Sequence, residues 1–257
     1  MARERYLLGT EGDTIHDNQI VLETKSDIRK NWWYYHKSMI IVGVIIGAII
    51  FSIVHSVVSK VKPDYQIAFM TSVTWSEEML TDFENYLVEF ADDRNNDGRV
   101  VVALNAYMLD SSRDTTIDPQ ILQASMVRFT TDCMVGDSMI FIHDETAFSS
   151  AVENGLDGFF LYNGGEEMAG DAKDFENTWI NWSEVKAAEN YEVADIDTEG
   201  GYVSAEDLKV FFQRYRFSFR GEPSGAEKKE ELKSYYEDSK MLYKRLIEDE
   251  KLLTEEK

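Results

Sequence analysis

The chain has 257 residues, with 26 Lys and Arg against 48 Asp and Glu, and a formal net charge of −22. A surface this acidic repels phosphate backbones and anionic headgroups, which argues against nucleic acid as a partner. The single cysteine, Cys133, rules out an intramolecular disulfide framework.

The charge is unevenly placed. Residues 1–60 carry seven basic and six acidic side chains, which leaves 19 basic and 42 acidic for the rest. Residues 1–24 are polar and without periodicity, and disorder is expected there. Residues 25–37, KSDIRKNWWYYHK, predict a helix that runs into the apolar stretch Met39–Val58. That stretch has twenty residues without a formal charge, and only Ser52, His55 and Ser56 are clearly polar. A helix of ~20 residues is ~30 Å long, the thickness of a bilayer's hydrocarbon core. The expected partner of residues 39–58 is therefore the lipid bilayer. The expected organisation is a cytoplasmic tail over 1–37, a transmembrane helix over 38–59 and an extracytoplasmic domain over 60–257.

Lys25, Arg29, Lys30 and Lys37 precede the span, while only Lys60 and Lys62 follow it closely. Basic residues collect on the cytoplasmic side, so a cytoplasmic N-terminus and an outer acidic domain are expected. Trp32-Trp33-Tyr34-Tyr35 fits an interfacial aromatic belt on the inner side. No small-x-small cleavage site precedes Lys60, so a retained single-pass anchor in the cell membrane is expected rather than a cleaved signal. Gly43 and Gly47 are spaced for close helix approach, which makes a homodimer through the span a candidate.

Beyond Pro63 the pattern alternates. Tyr65–Thr71 reads as a strand. Thr74 or Ser76 caps a helix whose apolar face is Leu80, Phe83, Tyr86, Leu87 and Phe90. Asp92–Gly98 is a polar turn and Arg99–Met108 a second strand. Pro119 opens a helix through Thr131, with Ile121, Leu122, Met126 and Phe129 on one side. Gly136 ends it. Ser138–His143 is nearly all apolar, as a central strand would be. A short helix over Glu145–Asn154 and a fourth apolar stretch at Gly158–Tyr162 follow. This spacing predicts an α/β fold with a mostly parallel sheet and right-handed crossovers. The best-defined lobe is 65–162. Residues 163–257 are less regular: a helix over Thr178–Glu189, an acidic turn at Ala194–Gly201, a cap at Ser204, an extended Phe217-Ser218-Phe219 and a long charged helix over Ala226–Leu252.

Ile121-Leu122-Gln123-Ala124 through Gly136-Asp137, then Met139–Asp144, Ala147-Phe148 and Phe148 to Phe160, resemble the first lobe of type 2 periplasmic solute-binding proteins. The resemblance covers about 100 of the 257 residues. It implies an extracytoplasmic module that binds or senses a small solute. Two departures stand out. The outer domain is short for two lobes, and the anchor is a membrane helix. The aromatic run before the span followed by such a domain is also similar to membrane-anchored proteins of Gram-positive bacteria.

Two sites follow from the residues themselves. In open α/β sheets, ligands sit beyond the carboxyl ends of the strands. Ser72, Thr74 and Trp75 follow the first strand, Tyr107 and Asp110 lie near the end of the second, and His143 and Asp144 close the third. Hydroxyls, aromatic faces and a carboxylate suit a polar organic solute. The same residues also suit helix caps and packing. The second site is Asp93, Asn95 and Asp97, which match the opening of a calcium loop. Leu104 stands where such a loop needs its bidentate Glu, so a complete EF-hand is excluded. A tight structural turn accounts for the same residues. No catalytic motif is present: the chain lacks G-x-S-x-G, H-E-x-x-H, a phosphate loop and paired Cys/His spacing. The alternative to a solute-binding module is a protein-interaction subunit of an envelope complex without a small-molecule pocket. A filled crevice and an exposed apolar patch would mark it.

Overall fold

The computed structural model describes residues 24–58, 62–110, 118–156, 159–168, 173–198, 201–223 and 229–252. The tail expected to be disordered, residues 1–24, lies outside them except for Thr24. The chain divides into two compact units, Met1–Lys60 and Val61–Lys257, and each is taken by itself.

The described residues of the first unit form one helix, α1, Lys25–Val58. Its apolar side chains, from Ile28 to Val54, are exposed along its length. A water-soluble helix would bury such a surface, and this one is long and apolar enough to cross a membrane. The Trp32 and His36 rings stack, and His36 Nδ1 lies 2.8 Å from the Trp32 carbonyl oxygen.

The second unit is a three-layer α/β domain. Its strands are β1 (Tyr65–Thr71), β2 (Val102–Met108), β3 (Ser138–His143), β4 (Trp179–Asn181) and β7 (Arg216–Phe219), in the order β2-β1-β3-β7-β4. β5 (Ile196–Thr198) and β6 (Gly201–Val203) pair antiparallel in a separate two-stranded sheet. As its composition predicts, β3 is central, and all six of its residues are buried. β1 pairs with β2 and β3 in parallel. The expectation of a mostly parallel sheet is corrected, because β7 enters antiparallel between β3 and β4. The fourth apolar stretch does not become a strand of the sheet. Phe160 makes a single bridge to Arg220, and Leu161 one to Glu167. The place beside β3 goes to β7, whose Phe217 and Phe219 enter one core while Ser218 meets His143 on the other face.

Period-two alternation splits the core. Ile67, Phe69, Leu104, Ile140, Ile142, Phe217 and Phe219 face one side. That side is covered by α2 (Glu77–Leu87), α5 (Lys186–Glu189), α6 (Ala205–Phe212) and α7 (Glu230–Glu248). Ala68, Met70, Tyr107, Leu109 and Phe141 face the other, beneath α3 (Pro119–Val135) and α4 (Glu145–Ala151). Of the two residues proposed to cap α2 it is Ser76 that does so, and Asp144 and Ser204 cap α4 and α6 as expected; Asp118, which the sequence reading did not single out, caps α3, and each accepts from a first-turn amide. α3 ends at Gly136, φ +82°, where a Cβ would sit 3.3 Å from Leu232 and 3.4 Å from Pro223. The helix expected over Thr178–Glu189 instead contains β4, a 3-10 turn at Trp182–Glu184 and the four-residue α5.

Candidate functional site

The carboxyl ends of β1, β2 and β3 lie on one edge of the sheet, but their side chains do not form one crevice. Trp75 turns to the α2/α6 side. Its ring centroid lies 4.8 Å from Phe69, 4.9 Å from Phe212 and 5.4 Å from Tyr215. Its Nε1 donates to Tyr215 Oη at 2.9 Å, and the same hydroxyl lies 2.9 Å from Thr71 Oγ1. Tyr107 points to the opposite side, under α3, and donates to Asp132 Oδ2 at 2.6 Å. Burial first, and the Asp132 carboxylate second, push the Tyr107 hydroxyl well above the usual phenol range. Trp75 and Tyr107 are therefore separated by the sheet.

Ser72 and Asp144 do meet. Asp144 Oδ2 accepts from the Ser72 amide at 2.6 Å and the Ser72 hydroxyl at 2.8 Å, while Oδ1 caps α4 through Ala147 N at 2.8 Å. His143 is fully buried, with Nε2 at 2.8 Å from Ser218 Oγ and its ring on Phe148, Phe160 and Trp179. Burial, then the Arg216 charge, lowers its pKa to about 3, so the ring is neutral at pH 7. Thr74 is exposed and Asp110 half-buried at the ends of the loops.

The acidic turn is held by its own side chains. Asp93 accepts from the amides of Asp97 (3.1 Å) and Gly98 (2.8 Å), and Asp97 from that of Arg99 (2.9 Å). Asn95 Oδ1 accepts from Asp97 N at 2.8 Å, and Asp64 receives Asn95 N and Val101 N, each at 2.9 Å. Asn96 and Gly98 take positive φ, +55° and +84°, which their residue types tolerate. Among the described residues no group of three or more His, Cys, Asp or Glu is arranged to hold a metal.

The surface features that the sequence reading missed lie elsewhere. α3 buries Ser125, Phe129, Asp132 and Cys133 against the sheet. Its outer side nonetheless carries Ile121 (59% exposed), Val127 (61%), Met134 (81%) and Val135 (57%), with Ala124 and Thr131 between them. Ile121 was expected on the buried side beside Phe129; it faces outward instead. The signal was present in the sequence: from Pro119 to Thr131 the only charged residue is Arg128, in a chain of net charge −22. Even that guanidinium lies 5.7 Å from the Tyr107 ring centroid, folded back on its own domain. The Thr131 hydroxyl donates to the Val127 carbonyl at 2.8 Å. A groove of about 290 Å³ runs beside the helix, lined by Met126, Phe129, Met134, Ala151 and Phe159 among others.

A second apolar groove, of about 450 Å³, lies between α7 and β4. Ile180, Phe219, Met241 and Ile247 line it, with Lys240 and Lys244 among its polar residues.

No family model matches the chain, and neither the curated proteins nor the solved structures contain a match to it.

Proposed function

We propose that this is a single-pass membrane protein, N-terminus cytoplasmic, whose outer α/β domain works by contact with another protein. The observation that carries this reading is the closure of the strand ends by the domain's own side chains. Trp75 is packed among four aromatic rings and hydrogen-bonded to Tyr215. Ser72 is joined to Asp144, and His143 to Ser218. A crevice built to take a solute keeps a few convergent polar groups open to it. On this reading the likeness to a solute-binding lobe is one of arrangement without the ligand crevice. The basic residues before the span support the orientation. The exposed apolar side of α3 supports contact with a protein surface, because monomeric proteins seldom leave such patches uncovered.

One experiment tests the orientation and another the function. Protease added to intact cells should digest residues 62–257 and spare a tag at residue 1; loss of the tag would reverse the topology. A solute library should leave the melting temperature of the chain unchanged. A solute that raises it, and loses its effect in Trp75→Ala and His143→Ala variants that still fold, would restore the strand-end crevice. A second reading has its own observation. The α7/β4 groove falls within the ~300–1,000 Å³ of ligand pockets. A solute whose stabilisation is lost in Ile180→Asp but kept in Trp75→Ala would place small-molecule binding there.

A further inference from the structure

We infer that the groove between α7 and β4 holds an acyl chain with an anionic head, the chain along the groove and the head beside Lys240 and Lys244. The inference rests on the second reading above, small-molecule binding at this groove, and names the ligand class. It leaves the protein-contact reading, and the closed strand ends that carry it, untouched.

Three observations carry it. The first is the lining. Phe219 and Tyr243 form the floor, with ring centroids 5.3 Å apart, and the Tyr243 hydroxyl donates inward to the Phe217 carbonyl at 3.3 Å. The polar end of the phenol is therefore occupied within the domain. Ile180, Met241 and Ile247 add aliphatic side chains, and Met241 is 48% exposed. A methionine left this open beside other apolar groups can follow the shape of a chain laid over it.

The second observation is charge. Among the described residues three charged side chains line the groove, Glu237, Lys240 and Lys244. The two lysines stand one turn apart on α7, are exposed, and form no ion pair among the described residues. Like charges at that spacing destabilise a helix. Two cations to one carboxylate also reverses the balance of a domain that carries 42 acidic and 19 basic side chains beyond residue 60. An anionic head at this rim relieves the lysine repulsion while its tail covers Ile180, Met241 and Ile247.

The third observation is the sheet edge. β4 is an edge strand, and a peptide entering the groove would pair with it. Two of the backbone groups that β4 turns away from β7 are already taken. The Trp179 carbonyl accepts from Asn163 Nδ2 at 2.9 Å, and the Asn181 amide donates to Glu184 Oε2 at 3.1 Å. A peptide laid there would bury amides of its own without partners, at a cost for each. An acyl chain has no such groups. α1, long and apolar enough to cross a membrane, keeps the protein beside a supply of acyl chains.

The test uses the full chain in phosphatidylcholine nanodiscs. Diazirine-bearing hexadecanoic acid, hexadecanol and phosphatidylglycerol are added in turn, and labelled residues are read by peptide mass spectrometry after illumination. The acid or the phosphatidylglycerol should label residues 161–165 or 240–247, and excess unlabelled compound should compete. Labelling by the acid assigns a free fatty acid, and labelling by phosphatidylglycerol alone assigns a membrane lipid. Lys240→Gln with Lys244→Gln should lower this labelling about five-fold, as loss of two exposed ion pairs does, and leave the weaker hexadecanol labelling unchanged. Met241→Asp, at an exposed position, should lower it about ten-fold. Val210→Asp, an equal charge at an exposed position on α6, should not. Hexadecanol labelling as strong as that of the anionic compounds, no change in the double lysine variant, or labelling confined to α1 would overturn the inference. The reading beneath it is judged separately. A water-soluble solute whose stabilisation is lost in Ile180→Asp would then keep the groove as a small-molecule site for another ligand, and its absence would mean that the second reading fails as well.

Discussion

Ser72 and Asp144 tie together the ends of neighbouring strands β1 and β3. Both the amide and the hydroxyl of Ser72 donate to one carboxylate oxygen, at 2.6 and 2.8 Å, and the other oxygen caps α4. Both residues are buried. Asp144→Ala removes a cap and strands two buried donors, and should cost about 3 kcal/mol. Asp144→Ser can restore the cap but not the bridge, and should recover about 1 kcal/mol of it. Denaturant titration of the two variants checks the difference. Equal costs would mean that the bridge to Ser72 contributes nothing.

His143 makes stability depend on pH. Its folded pKa, about 3, lies below the ordinary value of 6.5. Above pH 6.5 the ring is neutral in both states and nothing is lost. Between 6.5 and 3 the unfolded chain binds the proton and the folded domain does not. Stability should fall there with a slope of up to about 1.4 kcal/mol per pH unit from this residue. His143→Gln lacks the titration, so the stability difference between wild type and variant should shift against the wild type as pH drops from 7 to 4. A constant difference over that range would show that His143 protonates readily in the fold.

Trp75 is predicted to act as core. Trp75→Ala should destabilise by about 3 kcal/mol through lost burial among Phe69, Phe211, Phe212 and Tyr215. Trp75→Phe keeps much of the ring contact, loses the bond to Tyr215, and should cost about 1 kcal/mol. Thermal unfolding of both variants reads the ratio. A Trp75→Ala chain as stable as wild type would argue that the ring serves something other than the fold.

The acidic turn is predicted to be structural. Asp93 takes two backbone amides and Asp97 one. Asp93→Ala should therefore cost more than Asp97→Ala, the latter about 1 kcal/mol. Millimolar calcium should leave the melting temperature unchanged in both variants and in wild type. A calcium-dependent rise in wild type that disappears in Asp93→Ala would make the turn a metal site.

What the sequence by itself determined are the features written in short-range chemistry. Twenty uncharged residues make α1 an apolar helix whatever surrounds it. Period-two and period-3.6 runs place β1, α2, β2, α3 and β3 in order, and Ser76, Asp144 and Ser204 cap their helices because a side-chain oxygen reaches an amide two or three residues on. Only the tertiary structure decided which strand lies beside β3. Phe159–Leu161 is the more apolar run, yet the place goes to Phe217–Phe219, which lets Ser218 meet His143 while Phe217 and Phe219 reach the other core. It also decided that Trp75 and Tyr107, both near strand ends, stand on opposite sides of the sheet, and that Ile121 faces out while Phe129 faces in. Each of these outcomes depends on which distant surface buries a residue. Local periodicity shows that a residue is apolar, but not what will cover it.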